Sequence, residues 1–360
     1  MKKIVLLLVL VLSLTACSGK NKEKEEVKTN ETEVKPEEKE EVPEPEEEQP
    51  VVNVQSTSIT SIYSGREVTK EVQKARPVML TIDNHPAARQ QASLSKASII
   101  WEMRVEGPYT RYLALFERPA KDENFLVGPI RSARPYFITL VNQYGGIFGH
   151  VGASKDGYKL IDELGLKDFD GFKGKANFFF RYTSTGKKAP NNLYSEIQDL
   201  FNKAAGKGLT LTNNGRGFIF NETDIVPTEG EDANEVRIVY SKKDASIRYE
   251  YDPETKSYLR FREGKQMLDE NTREPIMAKN IIVQYADSKI YNGTHREIKS
   301  TGKGKGYYIT AGKMQEIKWN KFDDHINPTK FTYEDGSEIK LNPGQTWIQV
   351  IDEKMKVRVK

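Results

Sequence analysis

Cysteine is almost absent from this chain: Cys17 is the only one in 360 residues. No disulfide can form within one molecule, and neither a thiolate zinc cluster nor a cysteine nucleophile can be assembled in the body. Long apolar runs are equally scarce. The main one, Ile4 to Leu14, is interrupted by Ser13 and is too short to span a bilayer comfortably. No internal repeat is visible. The serine at position 154 lies in Gly152-Ala153-Ser154-Lys155-Asp156, which lacks the Gly-x-Ser-x-Gly frame of a nucleophile elbow. Gly302-Lys303-Gly304-Lys305-Gly306 lacks both the spacing and the following helix of a phosphate loop, and reads as a mobile hairpin connection.

What is present at the N-terminus reads as export. Lys2 and Lys3 precede the apolar run, and Leu14-Thr15-Ala16-Cys17 closes it with small residues before the cysteine. An ordinary signal peptide needs only the small residues. The cysteine at that point resembles a bacterial lipoprotein box, with residues 1–16 removed and Cys17 acylated, for example with palmitate. Lys20 to Pro50 follows, with thirteen glutamates, six lysines and no aromatic residue. Such a segment buries too little apolar surface to offset its conformational entropy, so residues 17–55 read as an acylated cysteine and a disordered tether. As a flexible chain of about 35 residues its root-mean-square span is roughly 30–35 Å. An acidic docking tail is the alternative reading.

Charge separates tether from body. Residues 20–50 carry 6 − 13 = −7 and Lys2 and Lys3 add +2, so a whole-chain charge of +3 leaves 3 + 7 − 2 = +8 for residues 51–360. A basic body on the outer face of a cell membrane favours an anionic wall polymer or another envelope protein. Export makes nucleic acid an unexpected partner. A charge of this size also serves solubility alone.

The body changes character near residue 225. Residues 56–225 alternate strands and amphipathic helices, which is an α/β or α+β pattern. Pro77–Ile82, Tyr112–Phe116, Gly146–Val151 and, more weakly, Asn177–Tyr182 read as strands. Helices are expected over Pro135–Tyr144, Asp156–Leu164 and Asn192–Ala205, the last capped by Asn191 or Asn192. Residues 226–360 read as short strands separated by turns, a mostly antiparallel sheet or small barrel. Trp319 and Trp347 fall in those strands, where packing in the core is the default and stacking on sugar rings the alternative.

Four places could carry chemistry. Arg131-Ser132-Ala133-Arg134 precedes the helix expected from Pro135, so guanidiniums, a hydroxyl and free N–H groups could converge on a phosphate or carboxylate. The competing reading pairs these arginines internally with Asp83, Glu102 or Glu106. Asp83-Asn84-His85-Pro86 follows the first strand, where a base or two metal ligands would face a ligand crevice, but no third ligand is marked and turn chemistry is favoured. Glu102 and Glu106 share one face whether their segment is helix or strand, as acid/base partners or as arginine partners. His150, after Gly146–Gly149, is either a general base or a structural hydrogen-bonding group.

Several stretches resemble the YerB-like lipoprotein family. They are Asp83-Asn84-His85-Pro86 with Ala88-Arg89, Leu94 to Ala97, Glu102, Val105-Glu106-Gly107, Thr110-Arg111, and above all Gly128-Pro129-Ile130-Arg131-Ser132-Ala133-Arg134-Pro135-Tyr136. His150-Val151-Gly152 with Ser154, Ala189-Pro190, and Asn192-Leu193-Tyr194 continue the match. In the second half, Trp319, Pro328-Thr329, Asp335-Gly336, Asn342-Pro343-Gly344 and Thr346-Trp347 also fit. The resemblance spans nearly all of residues 70–352 and implies an envelope lipoprotein with an α/β first domain and a β-rich second. It supplies no activity. The family tends to carry histidine where this chain has Asn191, so any base or ligand role at that position is lost here.

The expectation is a lipid-anchored extracytoplasmic protein without cofactor or metal. It would be a non-catalytic binder or scaffold with an anion site at Arg131, Ser132, Arg134 and Arg111. The alternative is a wall-directed hydrolase or transferase using Asp83, Glu102, Glu106 or His150 as acid/base groups.

Overall fold

The structure is a computed structural model that describes residues 59–172, 178–240, 246–299, 301–322 and 324–360. The signal segment, Cys17 and the tether lie outside the described residues, as does Asn177 of the weak strand, of which Phe180–Arg181 pairs with residues 193–194. The described residues make one compact unit.

Its spine is a mixed sheet. The strands are β1 (Val78–Asp83), β2 (Ile99–Arg104), β3 (Thr110–Phe116), β4 (Ile147–His150), β5 (Asp168–Asp170), β6 (Asn280–Tyr285), β7 (Gly302–Thr310), β8 (Lys313–Lys321) and β9 (Thr346–Ile351). From one edge the order runs Glu231–Asp232, β8, β7, β6, β9, β2, β3, β1, β4, β5. The sequence halves therefore meet in hydrogen-bonded contact: β9 lies parallel to both β2 and β6, with Trp101 opposite Ile348 and Ile282 opposite Ile348.

Every residue of β1, β3 and β9 is buried. Both faces of the sheet are covered, so these strands read as continuous apolar runs instead of alternating ones. On one face Val78, Leu80, Ile82, Ile100 and Ala114 share a core with Leu200, Phe201, Val236 and Tyr249. On the other, Met79, Ile99, Trp101, Leu113 and Phe148 pack with Phe137, Ile138, Val141 and Ile161. The first face is covered in part by an antiparallel sheet of the second half, ordered Lys265–Gln266, Ser257–Arg262, Ser246–Asp252, Glu235–Val239, Lys356–Val359.

Helix α1 (Pro135–Tyr144) has the expected bounds, with Pro135 at its first position and Gly145 in the left-handed region at its end (φ 64°). Helix α2 (Lys155–Glu163) is capped by Ser154, whose hydroxyl accepts from Gly157 N–H at 3.2 Å. Helix α3 (Ile197–Gly206) starts later than expected. Leu193–Glu196 is a strand instead, paired with Phe180–Arg181 and Leu126–Val127, and neither Asn191 nor Asn192 caps the helix. Tertiary strand pairing overrides the local helical pattern there. The glycine-rich stretch is also corrected: residues 302–306 begin strand β7. A Cβ at Gly304 would come within 2.5 Å of the Trp319 ring, so glycine there admits the indole of the neighbouring strand.

Candidate functional site

Strands β1, β2, β4, β5, β6 and β9 all run in one direction. Their carboxyl ends, Asp83, Arg104, His150, Asp170, Tyr285 and Ile351, therefore line one edge of the sheet. In sheets of this kind ligands bind outside that edge. Most of the residues singled out from sequence gather there.

Asp83 and Arg111 are direct partners across β1 and β3. Asp83 is 3 % exposed; its Oδ1 accepts from the backbone N–H of His85 at 3.0 Å, and its Oδ2 accepts from Asn191 Nδ2 at 2.8 Å. Arg131 Nε lies 3.4 Å from the same Oδ2. His85 caps the short turn after β1 through Nδ1, which accepts from Ala87 N–H at 3.2 Å. The Asp-Asn-His-Pro stretch thus redirects the chain while holding Asp83 in place. Asn191 supplies from a distant loop the donor that aims its carboxylate.

The Arg131–Arg134 segment bridges two strands. Arg131 N–H donates to Thr81 carbonyl, Val151 N–H to Arg131 carbonyl, and Ala133 N–H to Gly152 carbonyl. Its guanidiniums diverge. Arg134, the residue before α1, donates from Nε to Glu106 Oε1 at 2.6 Å. Arg111 donates to the Ser132 carbonyl at 2.7 Å and lies 3.9 Å from Glu106. Burial, together with the nearby Arg134 charge, pulls the Arg111 guanidinium down to about 10 despite the Asp83 and Glu106 carboxylates. Burial tends to raise the Glu106 carboxyl, but the hydrogen bond and charge of Arg134 and the charge of Arg111 outweigh it and leave the group below its ordinary value. Three guanidiniums thus share two carboxylates. Arg131 keeps 30 % of its side chain exposed, and the buried Nε of Arg111 has no partner.

Glu102 belongs to a different cluster. It is fully buried and bonded by Arg260 and by Arg262, the latter at 2.9 Å, both from the second half of the chain. Thr110 Oγ1 donates to it at 2.6 Å. Arg260 lies 4.2 Å from the Trp347 ring and contacts Tyr112 and Tyr249. Trp347 is thereby a core residue, and Trp319 is 4 % exposed with its indole N–H on the Tyr285 carbonyl. Glu102 and Glu106 share a strand line but not a site.

His150 is also fully buried. Nε2 faces Asp168 Oδ2 at 2.7 Å, Nδ1 faces the Gly152 carbonyl at 2.9 Å, and the ring stacks on Phe148. Asp170 beside it accepts from Gly152 N–H, Phe172 N–H and the Tyr158 hydroxyl, bonds that outweigh burial and lower its carboxyl.

Arg260 and Arg262 escaped the sequence reading. In Ser257-Tyr258-Leu259-Arg260-Phe261-Arg262 the buried phase holds Tyr258 and both arginines, while Leu259 and Phe261 are half-exposed. The available signal was two cations in phase with a core tyrosine. Asp269 was missed as well: fully buried, it accepts from Ser93 N–H, Ser95 N–H and Ser95 Oγ, pinning the second half to the first. No clustering marks it in the sequence.

Two family models described as "Protein of unknown function (DUF3048)" match the chain, the N-terminal domain over residues 63–210 and the C-terminal domain over 236–348. A Bacillus subtilis (strain 168) protein named "Putative lipoprotein YerB" is 31 % identical over 291 residues, 80 % of this chain and 85 % of the relative. The crystal structure of YerB protein from Bacillus subtilis matches with a TM-score of 0.73 at 28 % identity, covering 83 % of this chain and 99 % of that one.

Proposed function

This chain belongs to the two-domain DUF3048 family, described as being of unknown function, and from that premise we propose that it is a membrane-tethered binding protein of the cell envelope. Cys17 carries the lipid anchor on the extracytoplasmic face, a reading supported by the residues before it and by the lipoprotein name of the relative. The body presents an anion site at Arg131, Ser132, Arg134 and Arg111. The carrying observation is the imbalance of three guanidiniums over two carboxylates, with Arg131 part-exposed and Arg111 Nε unpartnered. A carboxylate or phosphate entering beside Arg131 balances that charge with forked donors.

Binding is favoured over hydrolysis by how the acid/base candidates are occupied. Both His150 nitrogens face acceptors, Glu102 is held by two arginines, and Asp83 and Glu106 are each engaged by a guanidinium. A general base needs a free lone pair within reach of substrate.

The test is a thermal-shift screen of the full chain against muropeptides, glycerol-phosphate polymers and acidic sugars, with Arg131→Ala in parallel. A ligand at a hundred times its Kd adds about 2.7 kcal/mol to the native state. A raised midpoint that disappears in the variant is expected. No shift with any class, in a variant that is merely less stable, would sink the anion site. Membrane fractionation of Cys17→Ala tests the anchor: the protein should move to the soluble fraction.

A further inference from the structure

Three adjacent parallel strands, β2, β9 and β6, end side by side, and the segments that leave them enclose a groove of about 650 Å³. Its wall carries Arg104 from β2, Lys354, Lys356 and Arg358 from the chain after β9, and Arg296 from the hairpin after β6. The acid among its lining residues is Asp352. Five cations therefore face one carboxylate.

That carboxylate is held within the groove by a hydroxyl and backbone donors. Asp352 Oδ2 accepts from Ser288 Oγ at 3.0 Å and Ser288 N–H at 3.2 Å, and Oδ1 from Lys354 N–H at 3.0 Å. These bonds, with the charge of Lys354, outweigh burial and lower its carboxyl. Arg296 is 7 % exposed; one terminal nitrogen donates to Ser288 Oγ at 2.9 Å, while its Nε is buried and has no partner. Arg104 Nε is buried without a partner too, while one of its terminal nitrogens donates to the Gly107 carbonyl at 3.3 Å. Among the described residues none of the five cations has a carboxylate within 4 Å, although the Asp352 charge reaches Arg104 and Lys354. The half-buried Arg104 and the buried Arg296 repel each other, the single Asp352 charge offsets only part of the excess, and a bound anion offsets more of it.

The rest of the groove is apolar. Val239 and Ile290 are 39 % and 61 % exposed along its rim, and Met355 lies on its wall.

We propose that this groove is a phosphodiester-binding site: Arg104 and Arg296 fork onto the phosphate oxygens, the lysines and Arg358 complete the charge, and Val239, Ile290 and Met355 cover an aliphatic substituent. Arginine forks match two phosphate oxygens at once. None of Arg111, Arg131, Ser132 and Arg134 lines this groove, so the proposal does not rest on that cluster.

Calorimetric titration of the full chain with two soluble probes tests this. Glycerophosphoglycerol carries the phosphodiester alone, and dihexanoyl phosphatidylglycerol below its micelle concentration adds short acyl chains. Saturable one-to-one binding is expected, weakened at least tenfold in Lys354→Ala/Lys356→Ala and in Arg296→Gln. Asp352→Asn removes the opposing charge and should tighten binding several-fold, a gain that a misfolded variant cannot give. Equal affinity for the two probes identifies the free or polymeric phosphodiester as the source, and a large preference for the acylated one identifies a lipid headgroup. Two outcomes overturn the proposal. One is no saturable binding of either probe. The other is an equal loss in the charge-matched control Lys70→Ala/Lys203→Ala, both exposed and outside the groove.

Discussion

At the scale of single residues, the same chemical group has opposite fates a few positions apart. Glu106 is 28 % exposed and takes Arg134, whereas Glu102 is sealed between Arg260 and Arg262. Removing one partner of a buried ion pair leaves uncompensated charge in a place water cannot reach, at a cost of about 3–5 kcal/mol. Glu102→Gln keeps the shape and removes the charge facing two guanidiniums. We expect it to lower the unfolding free energy measured in urea by that order, with Glu106→Gln costing much less. Equal losses in the two variants would contradict the role assigned to the Arg260–Glu102–Arg262 cluster.

At the scale of elements, caps and turns follow local rules and strand pairing does not. Ser154 has no nucleophile frame around it but meets Gly157 N–H as a helix cap. Ser154→Ala should destabilise the fold by about 1 kcal/mol, measured by chemical denaturation, and Ser154→Asp should restore most of it. Residues 193–196 went the other way. Their sequence continues smoothly into α3, yet both sides are claimed by strands from elsewhere in the chain. Gly302 to Gly306 reads as a loop because glycine weakens a strand, and becomes a strand because Trp319 needs the space beside Gly304. In each case the deciding partner is remote in sequence.

At the scale of the whole molecule, the two sequence domains share one sheet through β9 and β2. Asp269 and the Glu102 cluster tie them again through side chains. Stability should therefore respond to pH as one cooperative unit. Glu106, Asp170 and Asp352 are all held below their ordinary values, near 4.5 for the glutamate and 3.8 for the aspartates. A lowered folded-state value gives stability that is fully present above the unfolded value and lost as pH falls through the folded one. The thermal midpoint should hold from neutral pH down to about pH 5 and fall steadily below about pH 4. Glu106→Gln should flatten part of that acid limb. A midpoint indifferent to acid would mean that the three carboxylates gain nothing on folding.

The chain's own composition and order determined the anchor reading, the acidic tether, the basic body, the α/β-then-β succession and the bounds of α1. Each depends on neighbours within a few residues: periodicity, a capping residue, a charge count. The family resemblance was legible for the same reason, through contiguous runs such as residues 128–136. Only the tertiary structure decided which carboxylate meets which guanidinium. Asp83 and Asn191 are 108 positions apart, and Glu102 and Arg260 are 158 apart. The groove beyond β2, β9 and β6 draws on residues 104, 296 and 352–358, and nothing in their local sequence signals that they meet. Burial, and the cost of leaving a charge unpaired within it, is a property of the folded sheet, so it becomes visible only once the strands are in register.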